Sequence, residues 1–489
     1  MDKPNIILLI LDAARQDMFG CYGNTENLTP NIDSLAKEGV ILKRHYAAGC
    51  GSAQAHVSIF TGQHSERHRM VHNFCSLDNE IKTIPLLLKK LGYKSFGHMV
   101  ANICPPAGYK ELFGFDEMIS PQAEGGRKAG KVEAGSFKKR IIKALKPIAY
   151  KLLPEKMRKQ ISAKIYDGEK SLDYLHTKLK ENRGGHPVFA YTTLLHPHLP
   201  YMPPKRFLKK VSQGRKINKM AFTLQSQHHS FSNGDFGEAE DALDSLQRLY
   251  KGELLYADYL VGKFIDQLKR DGLFDNTILV VTSDHGEYLG EHGFLTHGSL
   301  VWEELFNIPC VIRFPEKLPP GSVVDKMTSA MDLFPTLFGL ISELDMASSK
   351  TVFDGIDIFN NSDELSNRAL VVDSPPAVVP QRLSKYPNLL YKVSQIARAV
   401  RTEEYKYIWQ SNGMEYLFKT GLEENEANNI INQERVLADD LKKKMMLFYA
   451  GINKNFKIDE YPLNLDNDLT GKIPNPEIAE ELRKLGYLT

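Results

Sequence analysis

Four strongly apolar runs of strand length recur along the chain, separated by segments with the apolar spacing of amphipathic helices. A run that is apolar at nearly every position predicts a strand covered on both faces. The pattern therefore predicts an α/β protein whose central sheet is sandwiched between helices. The four runs are NIILLIL (5–11), PVFAYTTLL (187–195), NTILVVTS (276–283) and PCVIRF (309–314).

The length of the chain predicts a second, smaller unit beside this sheet. A single hydrophobic core stops growing at roughly 250 to 300 residues, and the chain has 489. We assign residues 1–370 to a catalytic domain and 371–489 to a C-terminal α+β subdomain. In the subdomain, ARAVRTEEYKYIW and MEYLFKTGLEENEANNI predict a short antiparallel hairpin followed by a helix-rich tail.

Composition and charge argue against a nucleic-acid-binding protein and a disulfide-rich protein. Hydrophobic residues make up 42% of the chain and charged residues 25%, which are ordinary values for a globular protein. The formal charge of +2 is too small to predict binding to nucleic acid. The five cysteines have no Cys-x-x-Cys spacing, which argues against a disulfide framework or a zinc knuckle.

No stretch of the sequence reaches the roughly 18 to 20 apolar residues of a membrane span. The first apolar run is too short for a signal peptide, and it continues into Asp12 without a small-residue cleavage site. We therefore expect a soluble, cytoplasmic protein.

A basic segment interrupts the catalytic domain between residues 121 and 160. It is rich in glycine at first and then becomes a basic amphipathic stretch broken by prolines. The simplest interpretation is a solvated pair of surface helices. The alternative is that 127–160 contacts an anionic polymer or a membrane surface.

Polar side chains follow two of the predicted strands. Asp12 comes directly after the first strand, and Asp284 and His285 come after the third, within TSDHGEYLGEHG (282–293). Because ligands collect at the carboxyl ends of the strands in such sheets, these residues are expected to converge. Carboxylates and imidazoles at a strand end must be hydrated, paired or metal-bound, and their clustering favours a metal site.

Six segments, in order along the chain, resemble the successive sequence blocks of the sulfatase family of the alkaline phosphatase superfamily. They extend over nearly the whole chain, and six collinear blocks are far more specific than any one of them. The resemblance implies the fold of that family and the cleavage of an ester at a divalent-metal centre. The segments are PNIILLILDAARQDMFGCYG, TPNIDSLAKEGV, SAQAHVSIFTG, TSDHGEYLGEHG, MDLFPTLFGL and the pair EYKYIW and EYLFKTGLEENEANNI.

The resemblance also implies a set of metal ligands. The family has an acidic pair after its first strand, and here the pair reads Asp12 and Ala13, so one carboxylate is missing. Asp284 and His285 stand where the family has its later ligands. We expect one divalent ion, Mn²⁺, Zn²⁺, Ca²⁺ or Mg²⁺, and the loss of a carboxylate beside a retained histidine favours Mn²⁺ or Zn²⁺.

The family's nucleophile position falls on Ser52, which is also implied to be a metal ligand. The signature C/S-x-P/A-x-R, whose first residue is oxidised to formylglycine, reads Ser52-Ala53-Gln54-Ala55-His56 here. The proline and the arginine are absent, so we expect an unmodified serine that is activated by the neighbouring cation. The structural alternative for Ser52 is a helix N-cap.

Three histidines and one asparagine are implied to bind the transferred anion or to protonate the leaving group. His198 matches the family's histidine before a proline, His297 stands where many sulfatases have a lysine, and His56 replaces the signature arginine. The Lys-x-His block of the family is missing, and only Asn102 lies near that place.

The sequence thus predicts a metal-dependent hydrolase of a sulfate or a phosphate or phosphonate ester. The local chemistry favours a phospho-ester over a sulfate ester, and the substrate is a small-molecule, glycan or lipid ester. One alternative is a phosphotransferase that passes a phospho-alcohol group to a glycan or lipid. The other is a catalytically dead binding protein, because Ala13 replaces a ligand. The sequence leaves the oligomeric state open.

Overall fold

The computed structural model describes residues 3–70, 81–99, 113–119, 168–226, 240–341, 353–375, 395–421, 426–454 and 456–459. Asn102 and the basic segment 127–160 lie outside these ranges. Within them, no helix combines the length and the apolar character that crossing a membrane requires.

An eight-stranded mixed sheet forms the centre of the described structure, as the apolar runs predict. The strands are β1 (Asn5–Leu11), β2 (Val40–Tyr46), β3 (Lys94–Met99), β4 (Glu117–Ile119), β5 (Val188–Leu194), β6 (Thr277–Ser283), β9 (Cys310–Arg313) and β10 (Ser322–Ser329). Their spatial order is β10-β2-β9-β6-β1-β5-β3-β4. Strand β9 is antiparallel to both of its neighbours, and the other neighbouring pairs are parallel. A separate pair, β7 (Tyr288–Leu289) and β8 (Leu295–Thr296), follows β6.

Helices cover both faces of this sheet. The central strand β1 is buried on both sides, because Ile6, Leu8 and Ile10 pack into one hydrophobic core while Ile7 and Leu9 pack into the other. Helices α2, α4 and α10 contribute to the first core, and α1, α5 and α8 to the second. The helices are α1 (Pro30–Glu38), α2 (Ser52–Thr61), α3 (Ser65–His68), α4 (Ile84–Lys90), α5 (Gly168–Glu181), α6 (Lys205–Ser212), α7 (Met220–Ser226), α8 (Glu240–Arg270), α9 (Glu303–Phe306), α10 (Leu333–Ile341) and α11 (Arg435–Ile452).

A second sheet of four antiparallel strands lies in the C-terminal part of the chain. Its strands follow the order β11 (Leu370–Ser374), β12 (Ala397–Arg401), β13 (Tyr405–Gln410) and β14 (Glu415–Lys419). The predicted hairpin corresponds to β12 and β13, and β11 and β14 extend it on either side. One face of this sheet packs against α11. The other face packs into the same hydrophobic core as Ile6, Leu8 and Ile10 of β1.

Candidate metal and nucleophile site

Two adjacent parallel strands bring the predicted metal ligands together. Leu11 of β1 lies opposite Ser283 of β6, so the residues that follow these two strands emerge side by side. Atoms of Asp12, Asp284 and His285 that can bind a metal all lie within 4.8 Å of one another. The carboxyl ends of these two parallel strands therefore place the three side chains together.

The carboxylates of this cluster fit a bound cation. Asp12 is 1% exposed, and neither of its side-chain oxygens has a hydrogen-bond partner. Asp284 is fully buried; its Oδ1 accepts hydrogen bonds from the backbone N–H groups of Ala13 (3.2 Å) and His285 (2.9 Å), while its Oδ2 accepts none. Because buried carboxylate oxygens without partners are costly, three such oxygens at one point favour a divalent ion between them.

His285 completes the cluster with a defined tautomer. Its Nδ1 donates to the carbonyl oxygen of Gly286 at 2.8 Å, which leaves the lone pair of Nε2 directed toward the carboxylates. This Nε2 lies 3.5 Å from Asp284 Oδ2 and 3.9 Å from Asp12 Oδ1. Burial lowers the pKa of His285, which favours the neutral imidazole that a metal requires. The loop needs glycine at 286, because a Cβ there would lie 1.9 Å from the carbonyl oxygen of Glu304.

The electrostatics of Asp12 lead to a prediction for the metal-free protein. Burial, and then the nearby Asp284 and Glu287, raise the pKa of Asp12. Ionised Asp12 is therefore unfavourable in the folded protein. The free energy of unfolding should fall as the pH rises through the raised pKa of Asp12. We expect chelated Asp12→Asn to unfold a few degrees higher than chelated wild type at pH 8, and the difference to vanish toward about pH 4.

Thermal unfolding of the chelated proteins across this pH range measures the effect. The exposed Asp266→Asn on α8 is the matched control and should leave the midpoint unchanged. If the cluster is a metal site, added Mn²⁺ should stabilise wild type more than Asp12→Asn, because the variant lacks one of the two carboxylates. A metal-free Asp12→Asn protein that is less stable than wild type at pH 8 would contradict this view of the cluster.

Ser52 lies at the same point, at the start of α2. Its hydroxyl Oγ is 3.1 Å from His285 Nε2, and the residue is 7% exposed. The N-cap position of α2 belongs to Gly51, which has an extended backbone and no side-chain cap. Ser52 is therefore not an N-cap, and its hydroxyl points to the carboxylate cluster. An anion held by Ser52 also lies at a helix N-terminus, where backbone dipoles favour negative charge.

His56 lies one turn further along α2 and is held on both ring nitrogens. Its Nδ1 is 2.7 Å from the carbonyl oxygen of Ser52, and its Nε2 is 3.0 Å from Thr193 Oγ1. Nδ1 also approaches Asp284 Oδ2 at 3.7 Å, and the side chain is fully buried. These contacts suit a residue that orients Ser52 and Asp284.

His198 and His297 lie beside the cluster. The ring centroid of His297 is 4.2 Å from that of His285 and 4.9 Å from that of His198. His297 Nδ1 is 2.8 Å from Oε1 of Glu287, a fully buried carboxylate whose Oε2 accepts a hydrogen bond from the Tyr201 hydroxyl at 2.9 Å. Burial, together with the neighbouring His297, lowers the pKa of His198 to about 4, so His198 is neutral at physiological pH.

Sequence reasoning missed the groups that hold this site in place. Arg15 is 7% exposed, pairs with Asp17 (2.7 Å) and Glu291 (2.6 Å), and donates to the carbonyl oxygen of Glu287 (3.3 Å). The Tyr250 hydroxyl donates to the carbonyl oxygen of Ala13, 2.9 Å away. The sequence offered one clue to Arg15: it lies three residues after Asp12, and the loop after β6 is rich in acidic residues that a positively charged side chain can pair with. Tyr250, in the middle of α8, had no such signal.

Comparisons with known proteins agree with this architecture. The family model described as Sulfatase matches residues 4–343, which is more than half of the chain. An arylsulfatase of Clostridium perfringens is 24% identical over 468 residues, an alignment that covers 88% of this chain and 91% of the relative. A multifunctional alkaline phosphatase superfamily protein of Trinickia caryophylli is 23% identical, over 69% of this chain and 73% of the relative.

Solved structures show the same fold. The phosphonate monoester hydrolase of Agrobacterium radiobacter superposes with a TM-score of 0.65 at 19% identity, covering 92% of this chain and 96% of its own. A protein solved with its substrate D-glucosamine-2-N,6-O-disulfate superposes with a TM-score of 0.68, also at 19% identity, covering 94% of this chain and 100% of its own. The family match, the fold and the convergence of Asp12, Ser52, Asp284 and His285 lead to one conclusion: the chain belongs to the sulfatase family of ester hydrolases, within the alkaline phosphatase superfamily.

Proposed function

We propose that this chain is a divalent-metal-dependent hydrolase whose nucleophile is the unmodified hydroxyl of Ser52, and that it prefers phosphodiesters or phosphonate monoesters to sulfate esters. One observation carries the proposal: Ser52 Oγ lies 3.1 Å from His285 Nε2, at the buried carboxylates of Asp12 and Asp284. A serine in this position combines a nucleophile, a cation site and a helix N-terminus for the transferred anion.

The residues that would hold the ion are Asp12, Asp284, His285 and Ser52. When bound, a divalent cation lowers the pKa of a neighbouring hydroxyl and neutralises charge on the transferred group. Two carboxylates with an imidazole form a mixed oxygen and nitrogen set, which favours Mn²⁺ or Zn²⁺ over Ca²⁺. Ala13 supplies no side-chain ligand, and its backbone N–H instead holds Asp284 in place.

Ser52 carries out the first step. Its hydroxyl would lose its proton to solvent beside the bound cation. The serine oxygen attacks phosphorus, a new O–P bond forms, and the bond to the leaving alcohol breaks in line with it. The departing oxygen takes a proton from His297, whose Nδ1 is oriented by Glu287 at 2.8 Å. Water then attacks phosphorus and gives a proton back to His297, and the bond between phosphorus and Ser52 breaks, which restores the deprotonated serine. His198 Nδ1 donates to the carbonyl oxygen of Leu199 at 2.5 Å, so the neutral ring has only the lone pair of Nε2 to offer, and His198 orients water as an acceptor.

Two departures from the formylglycine signature support an unmodified serine. Gln54 stands at the Pro or Ala position and His56 at the Arg position. His56 is bound to the Ser52 carbonyl and to Thr193, so it provides no fixed positive charge toward a substrate. Sulfatases release sulfate through the hydrate of formylglycine, a route that serine lacks. A phosphoseryl intermediate needs only water or an alcohol.

The leaving alcohol is proposed to belong to a glycan or a small molecule. A structure with the same fold holds D-glucosamine-2-N,6-O-disulfate as its substrate, and another is a phosphonate monoester hydrolase. Both kinds of substrate carry a tetrahedral anion, which is the group that a nucleophile at a helix N-terminus suits. Product analysis with and without glycerol separates hydrolysis from transfer to an acceptor.

The ester preference gives a direct prediction. In Mn²⁺ or Zn²⁺, kcat/KM for a nitrophenyl phosphodiester or phosphonate monoester should exceed that for the matched nitrophenyl sulfate. The Ser52→Ala variant is the control and should lose turnover of both esters. A sulfate preference above about tenfold, roughly 1.4 kcal/mol of transition-state discrimination, would restore a sulfate-specific enzyme.

A further inference from the structure

Gln54 makes side-chain hydrogen bonds that a proline or alanine at this place of the signature would lack. It lies two residues after Ser52 and is 1% exposed. Its Nε2 donates to Asp373 Oδ1 at 2.6 Å, and its Oε1 accepts a hydrogen bond from the backbone N–H of Cys50 at 3.2 Å. A proline at this position would restrict the helix start through its ring. Glutamine lacks the ring, and its side chain holds the turn instead.

Asp373 anchors this contact from the other sheet. It lies in β11, 319 positions away along the chain, and is 1% exposed. Its carboxylate also accepts hydrogen bonds from the Ser65 hydroxyl, at 2.9 and 3.2 Å, and faces Arg398 Nη1 at 3.6 Å. Arg398 in β12 is fully buried. The acceptor of Gln54 is therefore fixed by residues of the C-terminal sheet and of α3.

Cys50 connects Gln54 to the loop that carries His297. Its N–H is held by Gln54, and its carbonyl oxygen accepts a hydrogen bond from the backbone N–H of Gly298 at 3.0 Å. Gly298 directly follows His297. The turn also needs glycine at 49, because a Cβ there would lie 2.6 Å from Gln54 Cγ.

We propose that Gln54 and Asp373 are positioning residues, through which the C-terminal sheet fixes the turn at residues 50–52 and the loop of His297. The inference rests on the proposed function, because Ser52 is the group that must be placed. Since a displacement of about 1 Å can cost about a hundredfold in rate, a loose turn should slow the reaction without preventing the substrate from binding.

The test is a set of variants assayed with the aryl phosphodiester. Gln54→Met keeps the side-chain volume but loses the amide, and Asp373→Ala removes its acceptor. Each should lower kcat about 30- to 100-fold with KM changed less than about threefold. The double variant should be no slower than the slower single variant, because both changes break one connection. Asp373→Asn keeps an acceptor oxygen and should retain more of kcat than Asp373→Ala.

Ser58→Ala is the matched control. It removes a buried hydroxyl from the same helix as Gln54, where it is bound to His68 Nε2 at 2.9 Å, and leaves Gln54 and Asp373 unchanged, so kcat should stay within about twofold of wild type. Multiplicative losses in the double variant, or a Ser58→Ala variant as slow as Gln54→Met, would overturn the proposal, because either result indicates a general loss of packing.

Two readouts separate failure of this inference from failure of the proposed function. An active Ser52→Ala variant rejects the nucleophile, whereas an inactive Ser52→Ala beside a fully active Gln54→Met rejects only the positioning role. Hydrogen exchange needs no turnover. The amide of Cys50 should exchange faster in Gln54→Met than in wild type or Ser58→Ala, and unchanged exchange would overturn the proposal.

Discussion

Replacing Asp12, Asp284 or His285 with alanine should each lower kcat/KM about a thousandfold, which corresponds to about 4 kcal/mol of transition-state stabilisation. The reason is that these side chains form one buried cluster whose ligand atoms lie within 4.8 Å of one another. Folding should be retained, because these side chains follow the ends of strands and belong to neither hydrophobic core of the large sheet. Steady-state kinetics with and without a chelator, read together with circular dichroism, measures the effect.

His292 supplies the matched control for these three variants. It lies in the same loop as His285, but it stacks on Trp302 and pairs with Glu304 at 3.2 Å. His292→Ala should keep the activity of wild type and its response to Mn²⁺. If any two of the three ligand variants retained activity, the metal assignment would be wrong.

Ser52→Ala should lose turnover by at least about a thousandfold, whereas Ser52→Thr should keep a measurable fraction of about 1 to 10%. Both serine and threonine carry a hydroxyl group that a neighbouring cation can activate. The added methyl group of threonine costs rate, because Ser52 is buried at the start of α2. Single-turnover kinetics with the aryl phosphodiester separates the attack by the hydroxyl from the release of product.

Ser58→Ala controls for damage to α2. The Ser58 hydroxyl is bound to His68 Nε2 at 2.9 Å, further along the same helix. This variant should keep the kcat of wild type. A fully active Ser52→Ala protein would reject Ser52 as the nucleophile, and a Ser58→Ala protein as slow as Ser52→Ala would show that the helix, and not the hydroxyl, was lost.

The strands that are buried on both faces were predictable, because such burial produces a continuous apolar run in the sequence. Strands β1, β5, β6 and β9 are covered on both faces, so each is a nearly unbroken apolar run. The edge strand β10 alternates half-buried and exposed residues at its start, with Val323 51% exposed, so no unbroken apolar run marks it. The direction of β9 also leaves no trace, because parallel and antiparallel strands in the middle of a sheet have the same apolar composition.

The sequence predicts those site residues whose positions follow directly from the ends of strands. Asp12 and Asp284 end neighbouring strands, so the strand order alone brings them together. The pairing of Glu287 with His297 depends on how the loop between them folds back. The contact between Gln54 and Asp373 joins two sheets that are distant in the chain, and no periodicity encodes such a long-range hydrogen bond. The roles of Ser52, His56, His198 and His297 stay predictions, as does that of Asn102.

The most direct measurement is peptide mass spectrometry of the segment around Ser52, before reaction and after an acid quench during turnover of the aryl phosphodiester. Resting protein should show a serine of unchanged mass. The quenched sample should show a phosphoryl adduct derived from the substrate on Ser52, and the Asp284→Ala variant should show none. A resting peptide lighter by two hydrogens would identify formylglycine at residue 52 and contradict the unmodified-serine mechanism.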